Sequence, residues 1–314
     1  MTRVAGIDCG TNSIRLLVAD LAVPDSASGA GSTGELVELD RRMTIVRLGQ
    51  GVDKTGRLAP EALERTFAAC REYAAVIKEF GVGTDRLRFV ATSASRDAEN
   101  REDFVKGVVE ILGVEPEVIT GDQEAEFSFT GATGELHGAD RRLVVDIGGG
   151  STEFVVGNKH VEAARSVDIG CVRLTERHVR HDPPAAEEVA AIRADVRAAM
   201  DLAAETVPIT EAETLVGLAG SVTTVAAIAL GLPEYDSERV HHSRISRAQV
   251  DEVVARLLGS THDERAAIPV IHPGRVDVIV AGALVLAEIM ERTGAAEVVV
   301  SEHDILDGIA LSVA

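Results

Sequence analysis

Acid, glycine and hydroxyl residues at a spacing suited to gripping a phosphoryl group stand in Leu143-Val144-Val145-Asp146-Ile147-Gly148-Gly149-Gly150-Ser151-Thr152-Glu153-Phe154-Val155-Val156. Apolar, β-branched runs flank a glycine-rich turn, which predicts a strand–turn–strand hairpin. Gly148, Gly149 and Gly150 have no Cβ, so successive backbone amides are free to curl around an anion, and Ser151 and Thr152 add hydroxyl donors. Asp146 sets a carboxylate beside that nest. Two negative groups so placed call for a cation between them, and Glu153 is placed to help hold it. The plainer alternative is a tight hairpin with an acid at its mouth.

The same unit occurs twice. Val4-Ala5-Gly6-Ile7-Asp8-Cys9-Gly10-Thr11-Asn12-Ser13-Ile14-Arg15-Leu16-Leu17-Val18 again runs apolar strand, Asp, small turn, apolar strand, and Asp8 to Ser13 has the spacing of Asp146 to Ser151. Matched copies near the start of each half predict two similar domains facing each other across a cleft. Gly10, Thr11, Asn12 and Ser13 join Asp8 as candidate phosphate contacts.

Other elements must bring further groups to these turns. A strand at Arg86–Ala91 delivers Thr92-Ser93-Ala94-Ser95-Arg96-Asp97-Ala98-Glu99-Asn100 to its C-terminal end, where α/β sheets collect ligands. Ser93, Ser95, Arg96 and Asn100 form an anion-binding candidate there, against the alternative of a helix cap and a solvated charge. A helix is expected from about Ala98 to Leu112. Thr120 and Gln123 have capping-box spacing for the next helix, whose first turn holds Glu124. An acid there has a structural excuse in the helix dipole, but this helix leads into the second repeat and makes Glu124 a candidate base. In the second half, Arg173 reads as a salt-bridge partner or a phosphate ligand, and Cys171 as a small buried residue. Gly220 and Ser221 lie in a third glycine/hydroxyl turn at a helix start. His241-His242 lacks metal-site spacing.

The remaining pattern gives strands at Leu36–Leu39 and Met43–Leu48 and a helix from Pro60 to about Phe80. Further helices are expected at Ala185–Thr206, Arg247–Leu258, Pro273–Arg292 and Ile305–Val313. The boundary is drawn as 1–125 and 126–314, with the last helix packing back on the first domain. Pro24–Gly34 reads as a Ser/Gly/Ala loop, the expected disordered segment.

A net charge of −20 disfavours a nucleic-acid or anionic-membrane surface, and 3% aromatic content leaves few platforms for stacking bases. Three dispersed cysteines fit a reducing compartment, with no zinc spacing or disulfide framework. The apolar stretch Val276–Met290 is broken by Asp277, Gly282 and Glu288, and no signal-like segment precedes Val4, so a cytoplasmic location is expected.

The ordered set DCGTNS (Asp8–Ser13), ATSASRDAEN (Ala91–Asn100), TGDQEA (Thr120–Ala125), VDIGGGSTE (Val145–Glu153), DIGCVRLTE (Asp168–Glu176) and GLAGSVTT (Gly217–Thr224) closely resembles the exopolyphosphatase/guanosine-pentaphosphatase family. The likeness covers essentially the whole chain. It implies an α/β fold of two ribonuclease H-like domains, as in the actin/Hsp70/sugar-kinase superfamily. It also implies hydrolysis of a terminal phosphoanhydride with Mg²⁺ or Mn²⁺. On that resemblance Glu124 is the general base, Asp146 and Glu153 hold the metal, and the turns at Asp8–Ser13 and Gly148–Ser151 hold phosphate with Arg96. Inorganic polyphosphate is the expected substrate, in short chains because the sequence resembles the short two-domain form; pppGpp is the alternative, and a homodimer is the expected assembly. A kinase of the same superfamily would need a nucleotide pocket around Gly217–Thr224, and a weakly catalytic polyphosphate or alarmone sensor is a third alternative. Two departures stand out. The third turn reads GLAGS where a second adjacent Gly and a Thr are more usual, and Leu306 stands where many members carry arginine, which removes a cation and puts any phosphate contact there in doubt.

Overall fold

A computed structural model describes residues 1–22, 35–136, 138 and 140–313. The Pro24–Gly34 loop lies outside the described residues. In chain order the elements are β1 (Thr2–Cys9), β2 (Ser13–Ala22), β3 (Glu35–Ile45), α1 (Val52–Thr55), α2 (Pro60–Glu79), β4 (Leu87–Ala91), α3 (Ser93–Asp97), α4 (Arg101–Leu112), β5 (Glu117–Val118), α5 (Gly121–Thr133), β6 (Arg142–Ile147), β7 (Thr152–Gly157) and β8 (Val161–Val167). There follow α6 (Cys171–His178), α7 (Ala186–Ala204), β9 (Thr214–Leu218), α8 (Ala219–Ala229), α9 (Ser237–Val240), β10 (Arg244–Ser246), α10 (Arg247–Leu258), α11 (His262–Ala266), α12 (Ile279–Thr293), β11 (Glu297–Val300) and α13 (Ile305–Leu311). No described helix is long and apolar enough to cross a membrane.

The chain divides into two compact units, Met1–Leu136 with Asp304–Ala314, and His137–His303. The boundary expected at 125/126 falls inside α5. That helix stays whole because α13 lies against it in the first unit. An added Cβ at Gly131 of α5 would run into the Asp304 carbonyl, and one at Gly308 of α13 into the Phe127 carbonyl, so the two backbones meet where neither carries a side chain.

The first sheet has the order β3-β2-β1-β4-β5, with β1, β2 and β3 antiparallel and β4 and β5 parallel to β1. The second, β10-β11-β9-β6-β7-β8, contains the same order as β8-β7-β6-β9-β11 and adds β10 at its edge. Each unit therefore has the ribonuclease H-like arrangement of the actin/Hsp70/sugar-kinase fold, and the internal repeat in the sequence is a repeat of topology.

The central strands are buried on both faces because helices cover both. In the first unit Ile7, Leu16, Phe89 and Phe104 pack on one side of the sheet. On the other, Val4, Leu17 and Ala19 meet Leu306 and Ala310 of α13. Leu306 is thus a core residue, worth roughly 1.5–3 kcal/mol of burial. In the second unit Val145, Phe154, Leu174 and Leu284 belong to one continuous core.

Three expectations about elements are corrected. The two strands read at Leu36–Leu39 and Met43–Leu48 are the single β3. Its polar Asp40-Arg41-Arg42 segment is tolerated because β3 ends the sheet, with a register shift opposite Val18/Ala19. There Arg42 pairs with Asp40 at 2.7 Å and Arg41 with Asp307 at 2.5 Å. The helix expected from Ala98 is α4, which starts at Arg101, and the separate short α3 precedes it. Asn100 lies between them and binds both backbone groups of Leu58, accepting from its amide at 2.8 Å and donating to its carbonyl at 3.1 Å. That tether, not anion binding, occupies Asn100. Pro273–Arg292 is a short 3-10 turn followed by α12.

Glu188 ties down the start of α7. It accepts from the backbone amides of Arg180 at 2.8 Å and Ala185 at 2.9 Å, and its carboxylate lies 3.0 Å from His181 Nδ1. Burial pushes its carboxyl up, but these donors outweigh burial and hold it at about 2. A depressed carboxyl contributes stability that is present above the unfolded value and lost as pH falls through the folded one. Glu188→Gln should therefore flatten the decline of melting temperature between about pH 4.5 and 2, and an unchanged slope across that window would refute the role.

Candidate active site

In the first unit the Asp8–Ser13 turn is closed by Gly10 N–H donating to the Ser13 carbonyl at 2.9 Å. The Thr11 carbonyl accepts from Gly49 N–H at 2.9 Å, and that of Asn12 from Val46 at 3.0 Å and Arg47 at 2.9 Å. In a trans peptide the amide following a carbonyl points the opposite way. Anchoring those two carbonyls therefore turns the Asn12 and Ser13 N–H groups to the other side of the turn. Asp8 pairs directly across the ladder with Arg15, whose Nη2 lies 2.7 Å from its carboxylate. Arg15 also binds Asp304, which caps α13 by accepting from Leu306 N–H at 3.0 Å. Burial pushes the Asp8 carboxyl up against the pull of Arg15.

Thr92 N–H donates to the Cys9 carbonyl at 3.1 Å, which brings the start of α3 beside this turn. Ser93 and Ser95 are buried on α3. Arg96 on the same helix donates through Nη1 to the Ile119 carbonyl at 2.9 Å and to Glu124 Oε2 at 3.2 Å. The Thr120–Gln123 capping box is present and starts α5 so that Glu124, 8% exposed, sits in its first turn. The arginine read as a phosphate ligand therefore holds the carboxylate read as a base.

In the second unit Gly148 N–H donates to the Ser151 carbonyl at 3.1 Å, the counterpart of the Gly10–Ser13 bond. The Gly148 carbonyl accepts from Cys171 N–H at 3.0 Å and that of Gly149 from Val172 at 2.9 Å and Arg173 at 3.1 Å. Arg173 Nε donates to the Gly150 carbonyl at 2.7 Å. Three successive carbonyls are thus held by the start of α6, and the Gly149, Gly150 and Ser151 amides are aimed away from it. Gly170 makes this approach possible, since a Cβ there would overlap the Gly149 backbone.

Asp146 pairs across the ladder with Glu153. This is the position at which Asp8 meets Arg15 in the first unit, so one copy of the hairpin carries its own cation and the other sets two carboxylates opposite each other. Like charges directly opposite on neighbouring strands are destabilising. Asp146 and Glu153 are 7% and 1% exposed, and Ser166 Oγ donates to Glu153 at 2.7 Å. Two buried carboxylates on rigid strands suit a hard divalent cation.

The third turn is less open than its sequence implies. An added Cβ at Gly220 would land on the Arg275 guanidinium, and Ser221 is buried against Gly282. Reading by motif missed Arg275, whose signal was only an arginine two residues after Pro273. It also missed Arg15, although that residue stands at the same offset from Asp8 as Glu153 from Asp146. Ala219, which begins α8 after Leu218, has φ 65, a left-handed conformation that disfavours any Cβ. Ala219→Gly should stabilise the chain by roughly 0.5–1 kcal/mol after the entropy cost of glycine, and calorimetry showing a lower melting temperature would contradict the strain.

Residues 26–314 match the Ppx/GppA phosphatase family. The chain belongs to this family. Exopolyphosphatase 2 of Mycobacterium tuberculosis is 51% identical over 100% of this chain and 99% of that protein. A crystal structure of an exopolyphosphatase-like protein superposes with a TM-score of 0.91 at 44% identity, covering 99% and 98% of the two chains. A Ppx/GppA family member from Aquifex aeolicus does so with a TM-score of 0.79 at 31% identity, covering 99% and 97%.

Proposed function

We propose that this member of the family is a metal-dependent exopolyphosphatase that releases orthophosphate from the ends of inorganic polyphosphate, with short chains preferred. The observation that carries the reading is the Gly148–Ser151 turn, whose carbonyls are anchored behind it while its amides and the Asp146–Glu153 pair are presented together. The relative from M. tuberculosis, named an exopolyphosphatase, supports it.

Asp146 and Glu153 would hold Mg²⁺ or Mn²⁺, which when bound supplies positive charge against the transferred phosphoryl group. The amides of the two glycine/hydroxyl turns bind phosphate oxygens. Glu124 accepts a proton from water as its oxygen forms the new bond to the terminal phosphorus. The bridging P–O bond then breaks, and its electron pair leaves with the shortened chain. Arg96 keeps the Glu124 carboxylate in one orientation. A superfamily kinase would need room for a nucleotide at Gly217–Thr224, and the Arg275 guanidinium lying on Gly220 speaks against it. Buried thiols at Cys9, Cys70 and Cys171 agree with the proposed cytoplasmic location, and the proposed homodimer is to be measured by light scattering.

The test is orthophosphate release from short polyphosphate, long polyphosphate, pppGpp and ATP, each with Mg²⁺ and with EDTA. Metal-dependent turnover of short polyphosphate is expected. Turnover of pppGpp alone would move the enzyme to alarmone metabolism, and binding of polyphosphate without hydrolysis would leave a sensor.

A further inference from the structure

Asn12 is 5% exposed, yet neither its Oδ1 nor its Nδ2 has a hydrogen-bond partner among the described residues. The turn around it is otherwise well bonded, and its own carbonyl accepts twice. A buried amide left unpaired at both ends destabilises the free chain, so its partners are to be sought in what binds there. An ionised phosphoryl group offers acceptors only. It satisfies Nδ2 and repels Oδ1. Inorganic polyphosphate carries no N–H and, when ionised, no O–H, so the donor that Oδ1 requires is water.

We propose that Asn12 is a catalytic residue that orients the attacking water through Oδ1 while Nδ2 holds an oxygen of the terminal phosphoryl group. The assignment rests on the exopolyphosphatase reading above. Its geometry is that of the first unit. The Cys9–Thr92 bond joins the Asn12 turn to α3, and Arg96 of α3 holds the Glu124 carboxylate. The water then has two acceptors, Asn12 Oδ1 for one proton and Glu124 for the other. The lone pair between them goes to phosphorus as the bridging bond breaks toward the shortened chain. Glu124 takes its proton, whereas Asn12 exchanges none and the second hydrogen remains on the orthophosphate.

Asn12→Leu, which keeps the volume, and Asn12→Ala, which empties it, test this in the full chain with polyphosphate and Mg²⁺. The expected result is a melting temperature unchanged or raised in the leucine variant, kcat lower by about 100-fold in both, and KM within about threefold of wild type. Retained kcat with a raised KM would reduce Asn12 to a phosphate contact and overturn the assignment. So would a lower melting temperature in both variants, because the amide would then be partnered in the free chain. A wild-type chain inert on polyphosphate overturns the proposed function and this role with it. An active wild type with indifferent variants overturns this role alone.

Discussion

Glu124→Gln is expected to lower kcat for polyphosphate hydrolysis by about 10²–10⁴-fold with little change in KM. Glutamine has the shape of glutamate but cannot take a proton from water. The substitution also weakens the 3.2 Å contact with Arg96, but that guanidinium keeps its 2.9 Å bond to the Ile119 carbonyl and need not move. Binding of polyphosphate, followed by calorimetry, should therefore survive. A variant with kcat within a fewfold of wild type would remove Glu124 from the role of base, whatever the substrate.

The second large effect is structural. Gly308→Ala places a methyl group on the Phe127 carbonyl where α13 crosses α5, and both partners are helix backbone. Overpacking that cannot be relieved by a rotamer change costs about 1–3 kcal/mol or more, and at roughly 2–4 °C per kcal/mol for a chain this large the melting temperature should fall several degrees. Gly259→Ala is the control, since a Cβ there meets its nearest neighbour at an ordinary 3.5 Å. The shift of α13 would also disturb Asp304, hence Arg15 and Asp8, so a raised KM should accompany the lost stability. If Gly308→Ala melted with the control, the close helix contact would be wrong.

The repeated turns, the capping box of α5 and the apolar runs of the strands beside the turns were legible because each is fixed by residues close in sequence. Asp8 and Asp146 mark hairpins whose register follows from a few neighbouring side chains. What the sequence hid was long-range pairing. Nothing local says that Arg15 is shared with Asp304, 289 residues away, or that Arg96 faces Glu124 across a strand and a helix. Asn100 looked like an anion ligand because Asn suits both that role and a backbone tether, and only the position of Leu58 decides between them. Leu306 looked like a missing cation because a motif records identity and not the side of the sheet to which it is turned. Arg275 escaped notice because its guanidinium closes on Gly220, far from it in sequence, and a glycine carries no side-chain signal to search for.

The return of α13 to the first unit has a bearing on how the chain is made. Residues 137–303 form a continuous stretch, able to complete its contacts as soon as it has left the ribosome. The first unit leaves earlier but lacks Asp304 for Arg15 and Leu306 for Val4 and Leu17 until α13 emerges. The half of the protein synthesised first is therefore the half finished last, and a premature stop near the C-terminus would damage a sheet that begins at residue 2.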